Sequence, residues 1–204
     1  AQDFIDASPS CKVVALADLF PDRIESCRKK LKDERDVEIA DNMCFSGFDA
    51  YKKALDAGVD VMLHATPPHF RPQHVEAAIN ARKHVFMEKP IAVDPVGARS
   101  VLVSSKMAES LGLCMVSGTV RRVQKDYMTT QMKVANGEIG EIVGANIIRN
   151  GGALWHIKRR PEWSDMEYML RNWGNFCWLS GDHITEQFIH EIDVMSWYMG
   201  RTPE

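Results

Sequence analysis

Residues 59–94 read VDVMLHATPPHFRPQHVEAAINARKHVFMEKPIAVD, and this stretch decides the fold. Val59–Ala65 is a short apolar run ended by Thr66-Pro67-Pro68, where proline cannot continue a strand ladder. Arg71–Ala81 carries a helical pattern, His84–Met87 is a second apolar strand, and Glu88-Lys89-Pro90 is the loop that leaves it. Asp94 and Pro95 have the form of a cap and first turn for a helix running to about Ser110. A strand, a helix and a second strand apolar on both faces make a crossover unit of a parallel sheet.

The same alternation extends in both directions. Upstream, Val13–Ala17 (VVALA) is a buried strand with Asp18 at its end, and Pro21 opens a helix to about Lys32. The charged run Lys29–Asp36 reads as a solvated helix end and loop. Phe48–Ala57 is a short helix closed by Gly58, and downstream Leu113–Ser117 is one more strand. Right-handed crossovers turn this series into a Rossmann-like doubly wound α/β domain over residues 1–118. Ligands of such sheets sit at the C-terminal strand ends, here Asp18, Thr66-Pro67-Pro68, Glu88-Lys89-Pro90 and Gly118-Thr119.

After Val120 the character changes. A helix over Lys125–Ala135 ends at Asn136-Gly137, residues 141–150 read as a long strand, and Trp155–Trp178 is aromatic and charged with weak periodicity. Asp182–Met199 is the last helix. The region 119–204 is expected to be the start of an α+β domain whose sheet needs further strands. Ala1–Ala7 reads as the end of a helix and Gly200-Arg-Thr-Pro-Glu204 as a helix stop, so the expectation is a fragment. Its parallel sheet would lack the first strand and the glycine loop.

Composition narrows the function. The chain has 204 residues, 25 Lys+Arg against 28 Asp+Glu and a formal charge of −3. No basic surplus invites nucleic acid, and no run approaches the roughly 18 apolar residues of a membrane span. Five dispersed cysteines, Cys11, Cys27, Cys44, Cys114 and Cys177, suit reduced thiols better than a disulfide framework or zinc cluster.

Asp18, at a strand end, can accept both hydroxyls of an adenosine ribose. The next two residues, Leu19 and Phe20, offer no cation to a 2′-phosphate, which favours NAD over NADP. Lys89 can steady charge developing on a substrate oxygen, with Glu88 available to hold it and Pro90 able to adopt a cis bond. In the last helix, ideal α geometry puts Ile184, Phe188, Ile192, Met195 and Met199 on one stripe. Glu186, His190, Asp193 and Trp197 then lie nearly opposite. Glu186 and His190 are i,i+4 neighbours, so the carboxylate can polarise an imidazole suited to acid/base work near neutral pH; an ordinary exposed Glu–His pair fits the same spacing. His183 and His190 are two turns apart, about 10 Å along the axis, and no metal site is expected. Trp155, Trp163, Trp173 and Trp178 suit stacking on sugar rings or packing in a core.

Taken together, VVALAD (13–18), ATPP (65–68), KHVFMEKPIAVD (83–94), GEIGEI (137–142) and HEIDVMSWYMG (190–200) resemble the Gfo/Idh/MocA family. This is the glucose–fructose oxidoreductase and inositol dehydrogenase group. The resemblance implies a Rossmann domain followed by an α/β domain with an open, mostly antiparallel sheet. It also implies NAD(P)-dependent hydride transfer between nicotinamide and a sugar or polyol carbon, with NAD as cofactor. The family's Glu-Lys-Pro lysine falls on Lys89, and its Asp-x-x-x-His pair on Glu186 and His190, with Glu replacing Asp. Cofactor contacts are then expected from Asp18, Thr66, Pro67, Glu88 and Lys89. Substrate contacts are expected from Arg71, which stands where the family often has His, and from Trp155, Arg171, Trp173 and His183. The stretch GGALWHIKRRPEWSDMEYMLRNWGNFCWLSGDHITEQ (151–187) is similar to a Trp-rich branch whose members often carry a twin-arginine export signal. Cytoplasm and periplasm both stay open. A homo-oligomer formed through the C-terminal-domain sheet fits the family. The alternatives are an NAD-dependent glycoside hydrolase of the wider family and a non-catalytic dinucleotide- or sugar-binding protein.

Overall fold

The computed structural model describes residues 2–202. Ala1, Pro203 and Glu204, at the margins of the expected opening helix and closing helix stop, lie outside them. The chain divides into two compact units. One comprises the chain up to Thr66 with Gln73–Met87 and Val101–Val116; the other comprises Pro67–Pro72, Glu88–Ser100 and the chain from Ser117 on.

In the first unit, α1 (Gln2–Ala7), β1 (Leu16–Asp18), α2 (Pro21–Arg35), β2 (Cys44–Ser46), α3 (Ala50–Asp56) and β3 (Val61–His64) follow in order. Pro21 sits in the first turn of α2, where its missing N–H costs nothing, and Asp36 ends the helix in the left-handed region, its N–H returning to the Leu31 and Lys32 carbonyls. β1 and β2 pair in parallel, Leu16 opposite Cys44 and Asp18 opposite Ser46, with α2 and α3 packed against them. The helix α4 (Arg71–Asn80) crosses from the second unit into the first and leads to β4 (His84–Met87). β3 and β4 also run parallel, from Val61 opposite His84 to His64 opposite Met87. After α5 (Pro95–Ser110), β5 (Met115–Ser117) adds on the far side of β4. The Val85 N–H donates to the Cys114 carbonyl at 2.9 Å. Val75, Ala78 and Ile79 of α4, Val85 and Met87 of β4, and Val101 and Ala108 of α5 are buried and form this unit's core. His64 and His74 are buried too, ring nitrogens 2.9 Å apart.

In the second unit, α6 (Lys125–Ala135), α7 (Asp165–Arg171), α8 (Cys177–Ser180) and α9 (Ile189–Met199) are the labelled helices after β5. Ser164 caps α7 by accepting the Glu167 N–H at 3.1 Å, a local signal in Ser-x-x-Glu. The buried Asn172 ties the irregular chain before α7 to that helix. Its side chain accepts from Ile157 N–H at 2.6 Å and donates to the Ile157 carbonyl at 3.1 Å.

Three expectations are corrected. The sheets are a parallel pair, β1–β2, and a separate sheet ordered β3–β4–β5, also parallel. One doubly wound sheet short of a strand, followed by an antiparallel one, is not what forms, because β1 and β3 share no ladder among the described residues. Residues 141–150 form no strand: Val143 and Ile148 are exposed, and no neighbouring strand satisfies the backbone of that segment among the described residues. Lastly, the region after Val120 does not stand apart as expected: from Ser117 on, the chain forms one compact unit together with Pro67–Pro72 and Glu88–Ser100. The five cysteines are free. No helix among the described residues is long and apolar enough to cross a membrane.

Candidate active site

The second unit gathers the chemistry-bearing side chains around the loop that leaves β4. The Lys89–Pro90 bond is cis. Gly97 lets the loop close on the start of α4: a Cβ there would stand 3.0 Å from both Ala92 Cβ and Pro72 Cγ. Asp94 accepts the Gly97 N–H at 2.7 Å, so the expected cap of α5 is present. Gly118 lies against the Glu88 carboxylate, 3.0 Å from Oε2 to where its Cβ would be. From the other side comes the approach to α9. Gly181, at φ +77°, would set a Cβ 2.9 Å from Thr185 Cβ and 3.0 Å from Val93 Cα. Only glycine permits this close crossing.

Ile184–Phe188 is a π-helical turn, and it changes which way the residues point. Glu186, expected on the polar face, is buried, while Ile184 of the expected apolar stripe is 68% exposed. The inward-turned Glu186 takes Lys89. The ammonium donates to Glu186 Oε1 at 2.6 Å and to the Glu186 backbone carbonyl at 2.5 Å. The Glu186 and Lys89 side chains are 10% and 15% exposed respectively. Among the described residues Lys89 is therefore held by Glu186 and not by Glu88, and Glu186 makes no hydrogen bond to His190. Its second oxygen, Oε2, is buried without a partner.

The charges around this pair oppose one another. Burial pushes the Glu186 carboxyl above the ordinary carboxylate range, and the Lys89 and Arg71 cations pull it back. His190, in the first turn of α9, is half-buried. Burial and then the Lys89 charge hold its imidazole below the ordinary histidine value, which favours the neutral ring. α9 is anchored by Arg122, bound to both oxygens of Asp193 at 2.9 and 3.0 Å, and by Arg149, bound to Glu191 and Gln187 at 2.8 Å each.

The remaining candidates are scattered. Arg71 is 2% exposed, and its guanidinium donates to the Pro90 carbonyl, so it serves the Lys89 loop from beneath. Trp155 and Trp173 meet edge to face at 5.9 Å, with Trp155 46% exposed. Arg171 pairs with Glu167 at 2.9 Å and lies over the Trp163 ring. His183 is exposed, its ring against Phe188. Neither the Trp155–Trp173 pair nor His183 makes a hydrogen bond to Lys89, Glu186 or His190 among the described residues. In the first unit, Asp18 ends β1; Oδ1 accepts the Phe20 N–H at 2.9 Å and Oδ2 has no protein partner among the described residues. A carboxylate fixed by one oxygen and open at the other fits a ribose diol. Thr66 lies two residues past β3, and Pro67 precedes the 3₁₀ turn Pro68–Phe70. Sequence reasoning misses Arg122 and Arg149, whose only signal is arginine upstream of an acidic helix face, and it misses the π turn, which leaves no signal.

Comparison with known proteins agrees with this layout. The chain is 29% identical over 147 residues to 2,7-anhydro-N-acetylneuraminate hydratase of Escherichia coli, covering 72% of this chain and 35% of that protein. It is 23% identical to myo-inositol 2-dehydrogenase of Thermotoga maritima, over 93% of this chain and 48% of the relative. The fold matches scyllo-inositol dehydrogenase of Lactobacillus casei, solved with NAD(H) and scyllo-inositol, with a TM-score of 0.66 and 22% identity. That match covers 98% of this chain and 52% of the other. It runs through both units, and the chain spans about half the length, or less, of these relatives. The GFO_IDH_MocA family, an oxidoreductase family with an NAD-binding Rossmann fold, matches residues 1–117, and the chain belongs to that family.

Proposed function

We propose that the chain carries the cofactor- and substrate-handling residues of an NAD-dependent dehydrogenase acting on a sugar or polyol hydroxyl. The observation that carries this reading is the lysine of the β4 loop, clamped through two acceptors of one glutamate, with a half-buried histidine whose protonated form its charge disfavours. Bound NAD would supply the hydride acceptor. Of the three N–H donors of Lys89, two are taken by Glu186, so one is left for the oxygen of a substrate. Its positive charge stabilises negative charge on that oxygen as the hydroxyl proton leaves. His190, whose ring makes no protein hydrogen bond among the described residues, takes the proton during oxidation and returns it during reduction. Asp18 would hold the adenosine ribose. Thr66, Pro67 and Glu88, at or near strand ends, are the proposed neighbours of the cofactor. Trp155 and Trp173 offer an aromatic surface to a sugar ring.

The inositol dehydrogenases among the relatives make inositols the first substrates to try. The test incubates the full chain with NAD or NADP and a panel of inositols and aldoses, reading absorbance of the reduced nicotinamide. NAD-dependent reduction with a polyol is expected. NAD binding without an absorbance change for any compound, in either direction, would replace this reading with that of a binding protein.

A further inference from the structure

Arg71 is the largest fully buried side chain among the described residues, and burying a guanidinium is costly unless its charge and donors are answered. Its place in the fold answers both. It opens α4, directly after the 3₁₀ turn Pro68–Phe70, and donates to the carbonyl of Pro90, the residue after Lys89. Lys89 in turn is gripped by Glu186. The three ionic side chains are thus linked in series through one loop, and the ion pair at its end is buried.

We propose that Arg71 is a positioning residue: it pins the loop carrying Lys89 and provides the second buried positive charge that balances the Glu186 carboxylate. The proposal rests on the dehydrogenase reading only for what the clamp is used for; the clamp itself is independent of it. The groups facing Glu186 are Lys89, Arg71 and Glu88, of which Arg71 and Lys89 favour the carboxylate and Glu88 opposes it. Burial brings Arg71 itself down to about 10, with Glu186 and Glu88 pulling the other way, so at neutral pH it stays a cation. With Oε2 of Glu186 unpartnered, the carboxylate depends on these two cations. An arginine at this position supplies what a neutral imidazole would not, a permanent charge together with a planar fork of donors.

A merely structural arginine would alter stability without moving the titration of Glu186. The full chain, labelled with ¹³C at glutamate side chains, is titrated by NMR as wild type, Arg71→Met and Arg71→Lys, without cofactor or substrate. The Glu186 carboxyl midpoint should rise by about one unit or more in Arg71→Met and stay near the wild-type value in Arg71→Lys. A folded Arg71→Met protein with an unmoved midpoint overturns the proposal. If Arg71→Met does not fold, Arg71→Met combined with Glu186→Gln decides. Recovery of a cooperative unfolding transition in the double variant supports the charge balance, and failure to recover it overturns the proposal. A shifted midpoint in a protein that oxidises no polyol would refute the dehydrogenase reading and leave this one standing.

Discussion

Lys89→Met removes the ammonium while keeping an unbranched apolar stem, and its cost comes from the burial of the partner it leaves behind. Glu186 loses the hydrogen bond to Oε1, and Oε2 has none already. Breaking a buried ion pair by deleting one partner costs about 3–5 kcal/mol, a large share of the roughly 5–15 kcal/mol that stabilises a domain. Glu186 can escape most of that cost by taking up a proton, since burial already holds its carboxyl above the ordinary range. Each further unit of upward shift corresponds to about 1.4 kcal/mol. The sign is set by linkage. A carboxyl whose folded value exceeds its unfolded one keeps its proton longer in the folded state. Stability therefore falls as pH rises between the two values, and the deficit is fully present above the folded one. Urea unfolding monitored by far-ultraviolet circular dichroism should show Lys89→Met less stable than wild type by about 3 kcal/mol at pH 8. Toward pH ~4.5, as Glu186 takes up its proton, the difference should shrink. An equal loss at both pH values would mean that the ion pair is absent in solution, and the clamp argument would fail with it.

The same Lys89→Met protein should also lose turnover by roughly 10²-fold or more, with NAD affinity from fluorescence titration changed far less, if the cation acts on the developing oxyanion. His190→Ala should lower turnover by roughly 10²–10⁴-fold. In wild type, the rate of polyol oxidation should rise with pH, with its midpoint below the ordinary histidine value, because burial and Lys89 favour the neutral ring; this rise should vanish in the variant. Gly181→Ala should cost about 2–4 kcal/mol in urea unfolding, combining the penalty for an L-residue at φ +77° with overpacking against the Val93 backbone. Asp18→Ala should weaken NAD binding in calorimetry while leaving stability within about 0.5 kcal/mol of wild type, since Asp18 makes only a local turn bond.

How much can be read from the sequence depends on whether local rules govern each element. The strand at His84–Met87 and the helix at Lys125–Ala135 have the bounds their patterns predict, because apolar runs closed by turn residues leave little choice. Asp94 as cap, the cis bond before Pro90 and Asp18 at a strand end arise from single residues whose chemistry acts within a few positions. Strand β2 leaves no such pattern: Cys44–Ser46 is three residues long and only its pairing with β1 defines it. The opposite error falls on residues 141–150, where Ile142, Val143, Ile147 and Ile148 suit a strand, but a strand also requires a neighbour. The burial of Arg71 is likewise beyond local rules, because the resemblance makes it a substrate contact until its partner across the loop, the Pro90 carbonyl, is known.

The candidate site shows the sharper limit, because spacing pairs Glu186 with His190 whereas the structure pairs Glu186 with Lys89. Pairing Glu186 with His190 at i,i+4 holds only if the helix is α throughout. A π turn holds one residue more per turn than the ideal and rotates the residues before it by about one position relative to those after it. That single insertion moves Ile184 out of the apolar stripe and carries Glu186 inward to Lys89. It also bears on the family departure from Asp to Glu, since the longer side chain spans to a lysine on another loop while its own carbonyl accepts the same ammonium. The acid/base role assigned to His190 thereby no longer needs a carboxylate behind it. Its bias toward the neutral ring comes from burial and from the positive charge of Lys89, so His190 and Lys89 are coupled through the lysine's charge.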